Sequence, residues 1–115
     1  MDANYQNPSL PVAARVQSLL SQMTLEEKLA QMHSWWLVVA ENGEVSERQD
    51  ASDAFSHRMA KASFEEKIAL GVGQITRPFG SGIIDAAAGI ACFNALQRRI
   101  ITAGRFGIPA MFHEE

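Results

Sequence analysis

Apolar residues recur at helical spacing through the opening of the chain. Val12, Val16, Leu19, Leu20 and Met23 fall at intervals of three and four, which sets their side chains along one face of an α-helix. Pro11 suits the first turn, where its missing N–H leaves no bond unmade, with Ser9 or Leu10 just outside. Thr24-Leu25-Glu26-Glu27 has the form of a capping box. In such a box the threonine hydroxyl accepts from the glutamate N–H and the glutamate reaches back to the cap. Leu25, Leu29 and Met32 line one face of the second helix that the box predicts. Two helices joined at a tight cap make a clamp that packs on something larger.

The middle of the chain is mixed. Trp35-Trp36-Leu37-Val38-Val39 is a compact apolar run, either a strand or a buried loop. Glu41 to Asp53 is polar and charged, as expected of a surface loop. Phe55, Met59, Ala62, Ile68 and Ala69 return to helical spacing, and Ser63-Phe64-Glu65-Glu66 is a second, less distinct capping-box match.

From Gly71 the pattern is clearest. Gly71 to Thr76 reads as a short strand bounded by glycines, and Arg77-Pro78-Phe79-Gly80-Ser81-Gly82 as a loop that proline and glycine keep irregular. Asp85 is placed to cap a helix running to about Ala103, with Ile90, Phe93, Leu96, Ile100 and Ile101 as its stripe and Gly104 as a left-handed stop. Pro109 to His113 is the next strand. Strand, helix and strand in this order predict the βαβ unit of a parallel sheet with a right-handed crossover. One such unit cannot cover both faces of its own strands. The expectation is an α/β piece of a larger domain, with helical entry segment and surface loop over 1–70 and the βαβ unit over 71–115.

Composition narrows the function classes. The chain has 115 residues, 47% hydrophobic and 20% charged, with a formal net charge of −3, the balance of an ordinary globular domain. Lysines and arginines are scattered, which argues against nucleic-acid and membrane partners. Cys92 is the single cysteine, so neither an internal disulfide nor a cysteine-based zinc site can form. Met1 to Asn7 is polar and carries an acid, without the basic and apolar regions of a secretory signal, and the expected location is cytoplasmic. Gly71-x-Gly73 and Gly80-x-Gly82 do not make a dinucleotide fingerprint. No cofactor and no metal are expected.

Candidate chemistry gathers at strand ends, where parallel α/β folds present functional groups. Glu114 and Glu115 follow the last strand. They are either carboxylates aimed into a site or solvated acids, and strand alternation lets only one of them face inward. Arg77 follows the preceding strand, at the same rim if the two are parallel. Its guanidinium can orient a carboxylate, bind sugar hydroxyls or form a structural ion pair. His33 and His113 are better suited to structural roles than to acid–base chemistry, and Trp35 and Trp36 to a core than to sugar stacking.

Arg15 to Met32, Gly71 to Gly80, Asn94 to Gln97 and Arg105 to Glu115 together resemble the opening of glycoside hydrolase family 3 enzymes, in the same order along the chain. The β-xylosidase and β-glucosidase members are the most similar. The resemblance implies the N-terminal part of a (β/α)8 TIM barrel preceded by entry helices, with the rest of the barrel and a second domain following. It implies exo-acting, retaining hydrolysis of β-linked glycosides, β-xylosides or β-glucosides. The nucleophilic aspartate and the acid/base glutamate of such enzymes lie in later segments, so no catalytic residue is expected among these 115 and the chain alone is expected to be inactive. By motif position Glu115 matches the acid that grips sugar hydroxyls, with Glu114 as the alternative register and Arg77 as a rim residue. The rival readings are a non-catalytic sugar-binding module and a structural capping domain.

Overall fold

The computed structural model describes residues 3–39, 45–47, 64–79 and 85–114. A 3-10 turn over Asn4–Gln6 precedes α1 (Val12–Gln22), α2 (Leu25–Ala30), β1 (Ser34–Val39), β2 (Val45–Glu47), α3 (Phe64–Ile68), β3 (Gln74–Thr76), α4 (Ala86–Ala103) and β4 (Met111–His113). The strands form one sheet in the order β2-β1-β3-β4. β1, β3 and β4 are parallel, and β2 lies antiparallel to β1. The architecture is α/β.

β3, α4 and β4 form the expected βαβ unit, with Ile75 opposite Phe112 and Thr76 opposite His113. Asp85 starts α4 as its cap, accepting from the N–H groups of Ala87 and Ala88 at 3.4 and 3.0 Å. The apolar run whose sequence fits either strand or loop is strand. β1 adds a third parallel member, with Trp35 opposite Ile75 and Trp36 opposite Thr76. The sheet therefore draws on residues from both 1–70 and 71–115.

Alternation along these strands divides the sheet into two faces. Leu37, Ile75 and Ala110 are buried with Ile68, Val72, Leu96 and Ile100, and Trp35, Phe64 and Phe112 pack around them. Each fully buried aliphatic side chain contributes about 1.5–3 kcal/mol, so this layer between α4 and the sheet is the main store of stability. Gln97 of α4 ties the helix to the start of β4. Its amide donates to the Ala110 carbonyl at 2.8 Å and accepts the Ala110 N–H at 3.0 Å. Ser34, Trp36, Gln74, Thr76, Met111 and His113 belong to the opposite face, which no helix covers among the described residues.

The Thr24–Glu27 capping box is present in both directions, at 2.8 Å from the Thr24 N–H to Glu27 Oε2 and 3.2 Å from the Glu27 N–H to Thr24 Oγ1. Glu27 also has a partner in Arg105, which the local pattern does not reveal. The guanidinium donates to both carboxylate oxygens, at 2.9 and 2.8 Å, and to the Gln22 carbonyl at the end of α1, at 2.9 Å. Glu27 is buried although charged. The paired guanidinium holds its carboxyl below the usual range and outweighs the opposing effect of burial.

Three expectations need correction. Pro11 is the cap of α1 and not its first helical residue, because its ψ of 143° is extended. Gly104 is also extended, at φ −77° and ψ 136°, and the left-handed residue is Gly107 at φ 63°. The chain leaves α4 straight and turns only after Arg105 and Phe106 have made their contacts. Of the α1 stripe Met23 is buried and Val12, Val16 and Leu20 are exposed, as are Leu25, Leu29 and Met32 of α2, which fits helices that pack on something larger. The α4 stripe is buried at Leu96 and Ile100 but open at Ile90 and Ile101, although their neighbours Gly89 and Ile100 are buried, so the packed face is narrower than the apolar stripe. Of the second capping-box match, residue 63 lies outside the described residues, and Glu65 pairs with Arg99 of α4.

Gly73 has a steric reason to be glycine. A Cβ there would lie 1.8 Å from the Gln31 carbonyl oxygen, a backbone atom that cannot swing aside. Gly73→Ala is expected to destabilise by about 3 kcal/mol or more, at the upper end of overpacking costs. Gly104→Ala meets only ordinary contacts at an allowed φ, so it should leave the urea midpoint unchanged or raise it slightly through the unfolded state. Equal midpoints for the two variants would refute this reading.

Glu27→Gln keeps the shape of the carboxylate but not its charge, and should cost about 1.5–3 kcal/mol at neutral pH. The depressed carboxyl contributes stability above its unfolded value of roughly 4.3 and loses it as pH falls through the lower folded value. Urea midpoints from pH 6 down to pH 2 should therefore fall more steeply for the wild type than for Glu27→Gln. Parallel profiles would count against the pair.

Candidate functional site

β3 and β4 end side by side, so the residues after them share one rim, as the strand-end argument requires. Arg77 follows Thr76, and its N–H donates to the His113 carbonyl at 2.8 Å. Its backbone is left-handed, at φ 45°, which costs a residue with a Cβ about 1–2 kcal/mol. Its guanidinium carbon lies 5.2 Å from the centre of the Trp36 ring. Trp36 is opposite Thr76 on β1, so cation and ring link the end of β3 to the middle of β1. Pro78, fully buried, anchors the next residue.

Glu114 follows His113 on the other strand. Its Oε1 accepts the Phe79 N–H at 2.9 Å, which fixes the loop after β3 against the end of β4. The Phe79 ring packs on Phe93 at 4.6 Å, and Phe93 on Phe112 at 4.9 Å. An aromatic column thus supports the rim from beneath. Glu115 lies outside the described residues, as do residues 80–84 of the loop.

A row of polar side chains crosses the uncovered sheet face. Ser34 Oγ is hydrogen-bonded to Thr76 Oγ1, and Thr76 Oγ1 to His113 Nε2 at 3.0 Å. From sequence alone His113 suits a structural role, and neither Ser34 nor Thr76 stands out. Their common face is visible in the sequence only once the strand register is known. The other candidates separate from the rim. His33 precedes β1 and meets Trp35 edge-on at 6.1 Å. Trp35 packs on the core side with Lys67 5.4 Å from its ring centre.

Among the described residues no three His, Cys, Asp or Glu side chains are grouped to hold a metal ion, and no helix is long and apolar enough to cross a membrane. The rim offers a fixed cation, a carboxylate at the end of β4 and a hydroxyl–imidazole row. These groups suit recognition of a polyhydroxylated ligand.

No protein-family model matches the chain. It is 35% identical over 112 residues to a protein of Formosa agariphila described as "Putative beta-xylosidase". The alignment covers 97% of this chain and 13% of that relative. The similarity therefore runs through the helices, the sheet and the rim alike, and it supports a glycosidase-like segment.

The left-handed backbone at Arg77 can be tested by stability alone. Arg77→Ala and Arg77→Gly both remove the guanidinium, but only glycine adopts that conformation freely. The glycine variant should be more stable than the alanine variant by about 1 kcal/mol. A midpoint for Arg77→Ala equal to or above that for Arg77→Gly would contradict the strain.

Proposed function

We propose that the chain supplies the entry helices and first strands of a (β/α)8 barrel in a family 3 glycoside hydrolase that removes β-linked sugars by retaining, exo-acting hydrolysis. β-Xylosides are the favoured substrates, with β-glucosides the alternative. The observation that carries this reading is the similarity to the F. agariphila protein along 97% of the chain. The shared rim at the ends of β3 and β4 supports it, because parallel α/β enzymes assemble their sites there.

Retaining hydrolysis needs a nucleophile and an acid/base carboxyl about 5 Å apart. In this reading both belong to other parts of the protein, together with the remaining barrel strands and the second domain. The contribution of this chain is binding. Glu115 accepts hydrogen bonds from sugar hydroxyls, and Arg77 donates from the neighbouring strand end. Glu114, whose Oε1 accepts the Phe79 N–H, holds the loop between them.

The two adjacent glutamates then have different fates. A neutral amide oxygen can replace Oε1 of Glu114 as acceptor, so Glu114→Gln should leave kcat/KM for an aryl β-xyloside within about twofold. Glu115→Gln removes a charge-assisted contact worth roughly 1.5–3 kcal/mol and should lower kcat/KM at least about tenfold. The assay uses the protein that carries this chain, with the 115-residue chain itself as an inactive control. Absence of glycosidase activity in the complete protein would sink the proposal. Wild-type kinetics in Glu115→Gln would remove Glu115 from the site.

A further inference from the structure

The uncovered face of the sheet carries a row that the rim residues do not account for. At their last register positions Trp36, Thr76 and His113 lie side by side on β1, β3 and β4. Ser34, one step earlier on the same face of β1, bonds to Thr76. Thr76 bonds to His113 Nε2. His113 is exposed, and its Nδ1 has no partner among the described residues.

We infer that His113 is a substrate-binding residue, offering Nδ1 to a hydroxyl of the bound sugar, and that Thr76, backed by Ser34, is the positioning residue that orients it. The inference rests on the glycosidase reading and extends it to residues that reading leaves out.

The chemistry of the row supports it. Serine and threonine hydroxyls each donate and accept, and a neutral imidazole does one at each nitrogen. The row is therefore consistent in both directions. Donation from Ser34 to Thr76 and on to Nε2 leaves Nδ1–H as a donor. Donation from Nε2–H to Thr76 and on to Ser34 leaves Nδ1 as an acceptor. A sugar hydroxyl also donates and accepts, so His113 can meet it in either state without leaving an unsatisfied group. A histidine held only by packing would need neither hydroxyl.

Position supports it as well. Neighbouring strands are about 4.8 Å apart, so two spacings from Trp36 to His113 match the scale of one monosaccharide. An aromatic ring beside a few convergent polar groups is the usual make-up of a small-molecule site. The Arg77 guanidinium packed on Trp36 adds a donor at the same end of the strands. The row and the rim are thus two sides of one corner.

The test compares wild type, Thr76→Val, Thr76→Ser, His113→Phe and the Thr76→Val/His113→Phe double variant in the complete protein, on an aryl β-xyloside. Thr76→Val keeps shape and removes the hydroxyl. It should raise KM about three- to tenfold, the worth of one neutral hydrogen bond, with kcat within about twofold, as expected for uniform binding. Thr76→Ser should restore KM to within about twofold of wild type. The double variant should be no worse than His113→Phe, because Thr76 acts through His113. Unchanged KM in Thr76→Val, or effects that multiply in the double variant, would overturn the inference. If His113→Phe does not fold, the valine and serine variants still decide. If the wild type hydrolyses no glycoside, the proposed function fails, and calorimetric titration with xylose tests the row separately. Weaker xylose binding in Thr76→Val, restored in Thr76→Ser, upholds it, and no xylose binding by the wild type overturns it too.

Discussion

Glu27 and Arg105 are 78 residues apart in sequence, and their ion pair stands where three pieces of backbone meet. Arg105 donates to the last carbonyl of α1, Glu27 closes the cap of α2, and Arg105 itself lies in the connection from α4 to β4. From there the order of the sheet follows through main-chain bonds. With α2 held, the Ala30 and His33 carbonyls accept the N–H groups of Gly73 and Gln74, and the Gly73 carbonyl accepts that of Met111. Those bonds set the starts of β3 and β4 level. Level starts put Thr76 opposite His113, and therefore Arg77 and Glu114 at one rim. The glycine at 73 belongs to the same constraint, since any Cβ would push α2 away from the sheet.

The form of the pair explains how it can carry this. A guanidinium engages both carboxylate oxygens in a planar fork, which a lysine cannot do. Glu27 is already oriented by the capping box, so less side-chain freedom is lost when Arg105 docks. The Phe106 ring, 4.2 Å from the Arg105 guanidinium carbon, and Tyr5, edge-on to Phe106 at 5.9 Å, shelter the pair. Arg99 and Glu65 have the same chemistry, but both side chains are largely exposed. Solvated pairs of that kind add little, although this one does connect α3 to α4.

What the sequence discloses is what neighbouring residues decide. The Thr24 box, the Asp85 cap and the strand–helix–strand order are set within a few positions, and all three are present. Arg77 and Glu114 share a rim because strand ends in a parallel unit are adjacent by construction. Partners distant in sequence are not legible in this way. Nothing near Glu27 points to Arg105, and nothing near Ser34 points to Thr76 and His113, since only the register of β1 against β3 brings them together. The exposed stripes of α1 and α2 show the limit of periodicity. It identifies a helix and its apolar face but not what covers that face. Gly104 and Gly107 illustrate the same limit at a turn, where both are permitted by composition and the contacts of Arg105 and Phe106 select the second.

Arg77 gathers the functional argument into one residue. A left-handed backbone is easy for glycine and costly for arginine, yet arginine stands there. Its conformation is held from several directions: the N–H by the His113 carbonyl, the guanidinium by packing on Trp36, and the next residue by burial of Pro78. Strain retained under such over-determination is what the proposed binding role of Arg77 would lead one to expect. The same main-chain bond that holds Arg77 runs to His113, whose side chain carries the hydroxyl row. Cation, ring, hydroxyls and imidazole are thus fixed relative to one another by the sheet before any ligand arrives. Groups fixed in this way would lose little freedom on meeting a ligand, as the proposed sugar-binding role requires. Under the proposed function, positioning would rest on this chain and the catalytic carboxyls on other parts of the protein, with the parallel sheet as the frame between them.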